Sequence, residues 1–120
     1  MRSIILIFLF FLATLNIQAQ QNKSEPEGLP NESSAIRLLQ NYPNPAKEFT
    51  NVKFQLNIPG QVSLKLFDMV GKQISTLVDQ QMGVGIHSIH IDTDTFPNGI
   101  YFYVLKRENT TQTMKMIVSK

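Results

Sequence analysis

Val52-Lys53-Phe54-Gln55-Leu56-Asn57-Ile58, then Pro59-Gly60, then Val62-Ser63-Leu64-Lys65-Leu66 is the stretch whose reading decides the fold. Apolar side chains recur at every second position on both sides of the Pro-Gly pair. Successive side chains leave a pleated strand on opposite faces, so this period marks a strand with one buried face. A helix would need a repeat near 3.6. Pro59-Gly60 supplies turn chemistry between the two runs.

Downstream, the second run closes at residues 68–71. A third, at residues 73–78, carries Ile74, Leu77 and Val78 with less regular alternation. Gly83 and Gly85 bracket Val84, where a positive φ or a bulge costs little. Residues 86–92 alternate again, with Ile89 and Ile91 against His90 and Asp92. Phe96-Pro97-Asn98-Gly99 is a turn signal. Residues 100–105 are apolar on both sides, Ile100, Phe102 and Val104 against Tyr101, Tyr103 and Leu105. Either that strand is covered on both faces, or one face enters the core and an aromatic face is exposed. The last run sets Met114, Met116 and Val118 against Lys115 and Ile117.

These runs predict an all-β domain over residues 36–120, an antiparallel immunoglobulin-like β-sandwich of about seven short strands. Its expected core is Val52, Phe54, Leu56, Leu64, Leu66, Ile74, Ile89, Ile91, Phe102 and Val104. Ahead of the first long run, Pro43 and Pro45 hold their own φ and push Tyr42 and Asn44 toward extended geometry, so this segment reads as a stiff entrance to a strand.

The chain has 120 residues, and its start has the three parts of a cleavable signal helix. Arg2 is basic, residues 4–15 are apolar apart from Thr14, and residues 16–20 are more polar. The apolar run is shorter than the roughly 20 residues that span a bilayer as a helix. Cleavage is expected between Ala19 and Gln20. Residues 20–35 are rich in Gln, Asn, Ser, Glu and Pro, with Leu29 the one large apolar residue, and read as a flexible polar linker.

Cysteine is absent, which excludes disulfides, thiol chemistry and a lipid-modified N-terminal Cys. The net charge of +2 falls to +1 once Arg2 leaves with the leader, and the Lys and Arg residues are scattered. No nucleic-acid or acidic-lipid surface is expected from that balance. His87 and His90 are three apart and fall on opposite faces of a strand, which spoils them as a metal pair. Asp92 and Asp94 approach a turn, where Asp bonds nearby backbone. No nucleophile elbow and no phosphate loop followed by a helix is present. The expectation is a non-enzyme without cofactor, metal or small-molecule substrate.

Several ordered segments resemble the type A C-terminal sorting domain of the type IX secretion system. They are Leu38-Leu39-Gln40-Asn41-Tyr42-Pro43-Asn44-Pro45, Val62-Ser63-Leu64-Lys65-Leu66-Phe67-Asp68 with Gly71-Lys72, Gly85-Ile86-His87, Pro97-Asn98-Gly99-Ile100-Tyr101-Phe102 and Lys115-Met116-Ile117-Val118-Ser119-Lys120. The resemblance implies a Gram-negative cell, a periplasmic route, and a secreted or cell-surface product. It also implies recognition by the outer-membrane export machinery and its sortase-like protease. Membrane contact would come only through the leader or a lipopolysaccharide anchor.

Carried over by residue, Tyr42, Pro43, Asn44 and Pro45 mark the start of the domain, and Gly71 and Gly99 shape turns. Tyr101 and the ending from Lys115 to Lys120 belong to the recognition end. The last strand could also add to a partner's sheet by backbone pairing. Little or no cargo is expected between leader and domain, as in a gene remnant. The competing expectation is a stand-alone immunoglobulin-like adhesion or binding domain with an exposed aromatic patch at Phe67, Tyr101 and Tyr103.

Overall fold

The alternating runs become seven antiparallel strands in a computed structural model that describes residues 35–120. They are β1 (Ile36–Leu38), β2 (Phe49–Leu56), β3 (Gly60–Asp68), β4 (Gln73–Met82), β5 (Gly85–Asp92), β6 (Gly99–Arg107) and β7 (Thr110–Val118). The leader, the Ala19-Gln20 junction and residues 20–34 lie outside the described residues. Ala35, which composition groups with the linker, is fully buried, and its carbonyl accepts the Asn57 N–H at 2.9 Å.

One sheet has the order β1-β2-β5 and the other β4-β3-β6-β7. Their buried faces share one apolar cluster, to which β2 gives Val52, Phe54 and Leu56 and β3 gives Val62, Leu64 and Leu66. Both strands owe this to strict alternation, since each second side chain points the same way.

On β6 the expected core face is reversed. Tyr101, Tyr103 and Leu105 are buried, whereas Phe102 and Val104 lie half-buried on the outer face. Register explains the reversal. Leu64 stands opposite Leu105, Leu66 opposite Tyr103 and Phe67 opposite Phe102. Directly opposed residues share a face, so the buried leucines of β3 draw the tyrosine side of β6 inward.

Ile74 is the second correction, being 43% exposed rather than in the core. The β3–β4 register shifts twice, between Leu64 and Lys65 and between Leu66 and Phe67. Leu77 and Ile74 are the unpaired extra residues, which is why this run alternates poorly in sequence. Ile89 is partly buried and packs against the cluster.

A phenol in the core needs partners for its hydroxyl. Tyr103 finds backbone partners: its oxygen accepts the Asn41 N–H at 2.9 Å and its O–H donates to the Leu39 carbonyl at 2.9 Å, with Met114 Sδ also near at 3.7 Å. Burial pushes its pKa up to about 12, although the bond from Asn41 opposes this. The raised value means that the folded chain keeps a proton which the unfolded chain loses near pH 10. Stability from this group is therefore complete below pH 10 and falls between pH 10 and about 12. Tyr103→Phe should cost about 1–3 kcal/mol in urea unfolding at neutral pH. It should also flatten the decline in stability between pH 10 and 12 relative to the parent.

Candidate functional site

Residues 39–48 leave β1 and pass from one sheet to the other. Pairing with β2 continues at first: Leu39 N–H donates to Lys53 O at 3.0 Å, and Tyr42 and Asn51 exchange both backbone bonds at 2.9 and 3.0 Å. Pro43 and Pro45 have no N–H and fix their own φ, and pairing with β2 ends at Tyr42. Both prolines follow cis peptide bonds. The next backbone donor beyond Pro45 is Ala46, and it bonds Ile117 O on β7 at 2.7 Å.

The crossing is held from both sides. Asn41 is 2% exposed and sits under the prolines. Its Nδ2 donates to Thr50 Oγ1 at 2.9 Å and to Pro43 O at 3.2 Å, and its Oδ1 accepts from Gln40 Nε2 at 2.7 Å. Thr50 Oγ1 donates to the same Pro43 carbonyl at 2.8 Å. On the far side, Asn44 Oδ1 accepts the Ile117 N–H at 3.0 Å, and Ala46 O accepts the Ser119 N–H at 2.9 Å. Gln40 Nε2 also donates to Lys115 O at 2.9 Å. The outer edge of β7 is therefore occupied by its own chain where it carries the terminal motif. Strand addition at that edge would first have to displace residues 40–46.

The C-terminus is tied down as well. Gly99 pairs with Val118, and Lys120 N–H donates to Asn98 Oδ1 at 3.0 Å. The Lys120 ammonium donates to the carbonyls of Asp94 and Phe96. Tyr101 O–H donates to Pro97 O at 2.6 Å, and its ring packs at 5.4 Å from Phe96. Tyr101 also stands opposite both Asp68 of β3 and Met116 of β7.

Beyond Asp68 the chain turns through Gly71, whose φ of +87° is the left-handed conformation that glycine adopts without strain. Asp68 Oδ1 caps the turn by accepting the N–H of Val70 at 3.0 Å and of Lys72 at 2.9 Å. This turn and the start of β6 line a shallow cleft of about 280 Å³, walled by Asp68, Met69, Val70 and residues 98–101.

The structure thus gathers Pro43, Asn44, Pro45, Gly71, Gly99, Tyr101 and Lys120 at one end of the domain, although Asn44 and Ile117 are 73 positions apart. Tyr42 flanks that end and is 81% exposed. Lys115 lies farther along the outer face, opposite Phe102. Sequence reasoning missed Asn41 and Thr50 as the buried holders of the crossing and Asn98 as the acceptor for Lys120. The signal for Asn41 was its place directly before the prolines; Thr50 carried none.

Of the proposed aromatic patch, Tyr101 and Tyr103 are buried at 7% and 0% exposure, which leaves Phe67 beside Phe102. The Asp92 carboxylate accepts the Asp94 N–H at 3.0 Å, a turn role. Among the described residues no three His, Asp or Glu side chains are grouped to hold a metal.

The two asparagines should behave differently on truncation. Asn41→Ala leaves buried Thr50 and Pro43 groups short of a partner and should cost about 2–3 kcal/mol. Asn44→Ala should cost about 1 kcal/mol or less, and the Ile117 amide should exchange faster in deuterium-exchange NMR.

No curated protein matches the chain. Residues 40–119, from Gln40 at the crossing to Ser119 at the terminal clasp, match the family described as Secretion system C-terminal sorting domain. The chain belongs to that family, the C-terminal sorting domains of the type IX secretion system.

Proposed function

We propose that the end of the domain built by the crossing, the Gly71 turn and the clasped C-terminus is the surface read by the type IX export machinery. Family membership supports a targeting role, export to the cell surface or medium. The observation that carries the finer reading is the convergence of the motif residues at one end, joined by the bonds of Ala46 and Asn44 to Ile117. Tyr42 and Lys120 offer exposed side chains there, and Lys115 extends the surface.

The wider route follows from the same reading. Residues 1–19 would act as the leader into the periplasm of a Gram-negative cell and residues 20–34 as a tether, Ala35 belonging to the folded domain. A sortase-like protease then acts on the product outside. A three-plus-four division of strands around one core supports an immunoglobulin-like sandwich. So does the Tyr101 hydroxyl bonding back to Pro97 near the start of β6.

A reporter inserted between Ala19 and Ile36 should reach the surface or medium in a strain with intact type IX machinery and stay in the cell without it. Equal export in both strains would refute the sorting role. Removing the end of β7 would confuse recognition with folding, because Met116 and Val118 are core residues. Exposed side chains separate the two. Tyr42→Ala and Lys120→Ala should lower reporter export by about tenfold with the domain still folded, while Lys53→Ala on the other sheet should not. Undiminished export by both variants would place the recognised surface elsewhere.

A further inference from the structure

The outer face of the four-stranded sheet has an apolar centre with a basic border. On β3 and β6, Phe67 stands opposite Phe102 and Lys65 opposite Val104. One strand farther, Phe102 faces Lys115, Val104 faces Thr113 and Lys106 faces Thr111. Directly opposed residues share a face. The half-buried Phe67, Phe102 and Val104 are therefore bordered by Lys65, Lys106 and Lys115. Asp79 and Glu108 share a shallow cleft with Lys106 and are engaged with Gln61 at 3.0 Å and Arg107 at 3.8 Å. The positions opposite Lys65 and Lys115 carry no acid, being Thr76, Val104 and Phe102.

Charge along the chain is divided in the complementary sense. Residues 36–120 hold nine Lys and Arg against six Asp and Glu, whereas residues 20–34 hold Glu25, Glu27 and Glu32 against Lys23 alone. Leu29 stands between these acids, and Pro26 and Pro30 restrict the backbone around it. Carboxylates spaced about one large apolar side chain are the counterpart of lysines spaced about Phe102 and Val104.

The entry point of the chain leads to the same face. Gln112 on β7 accepts the Leu38 N–H at 2.7 Å and donates to Ile36 O at 3.0 Å, so β1 begins beside β7. Thr111 and Thr113, on either side of Gln112, belong to the outer face opposite Lys106 and Val104. Glu32 and Leu29 precede Ala35 by three and six residues, or about 10 and 20 Å of extended chain. With strands about 5 Å apart, that length crosses β7 and reaches β6 and β3.

We infer that residues 25–32 dock on this face, with Leu29 covering Phe102 and Val104 and the glutamates facing Lys65, Lys106 and Lys115. A weak contact suffices, because a short tether holds the segment at an effective concentration on the order of millimolar. The outer face of the other sheet also has cations, Arg37 and Lys53, but no apolar centre. Its apolar side chains, Ile86 and Phe49, stand at opposite ends of the β2–β5 ladder. Docking does not rest on the sorting role, and either can fail while the other stands. Where the sorting role holds, a receptor that contacts Lys115 must first displace the segment.

The chain has no cysteine, so Gly28→Cys can carry a single nitroxide. The sample is the chain from Gln20 onward, which keeps every described residue. At low salt the amide signals of Lys65, Phe102, Val104 and Thr113 should broaden by about twofold more than those of Lys53, Ser88 and His90. Glu25→Gln, Glu27→Gln and Glu32→Gln together should remove that difference. Salt at about 1 M, where the Debye length is about 3 Å, should reduce it. Lys65→Gln with Lys115→Gln should reduce it from the other side at an unchanged urea midpoint; should that variant unfold, the glutamate variant decides alone. Equal broadening of both outer faces, as for a free tether, overturns the proposal, as does a preference for the Arg37 and Lys53 face. So does a preference that survives the glutamate changes, or one transferred between labelled and unlabelled chains in a mixture, as for contact between copies.

Discussion

The transfer of residues 42–46 from β2 to β7, in a segment stiffened by two prolines, is the constraint on which the rest of this structure depends. The segment after β1 exchanges its last backbone bonds with β2 at Tyr42, and the Ala46 N–H then bonds Ile117 O on β7. One short segment thereby joins the first and last strands and bridges the two sheets. The polar cost of carrying backbone across a buried corner is met by Asn41, Thr50 and the Tyr103 hydroxyl, each satisfied by hydrogen bonds.

On the proposed function, that arrangement bears on how the sorting signal is presented. Pro43 to Pro45, the turn at Gly99 and the final lysine are remote in sequence, and only the folded chain brings them to one end. A surface of this kind is absent from the unfolded chain, so its recognition would report that the domain has folded. Lys120 is fixed there, its backbone on Asn98 and its ammonium on the carbonyls of the preceding loop.

The treatment of the sheet edges divides the molecule further. The edge beside the terminal motif is covered by residues 40–46, the β4 edge is bulged, and β5 pairs with β2 in unbroken register.

Much of this was legible in the chain. Period-two alternation identified β2, β3 and β5 because each has one polar and one apolar face, and Pro-Gly and Asn-Gly marked their turns. The ordered motifs carried the family. Alternation failed on β4, where Leu77 and Ile74 are bulge residues, and it could not choose a face for β6, which is apolar on both sides. By itself the sequence determined the strand content, the punctuation and the stiff proline entrance, since these rest on local backbone chemistry. Which side of β6 is buried, what covers the edge of β7 and which residues meet at one end were decided only by the tertiary structure. Each of those depends on register and hydrogen bonding between segments far apart in the chain.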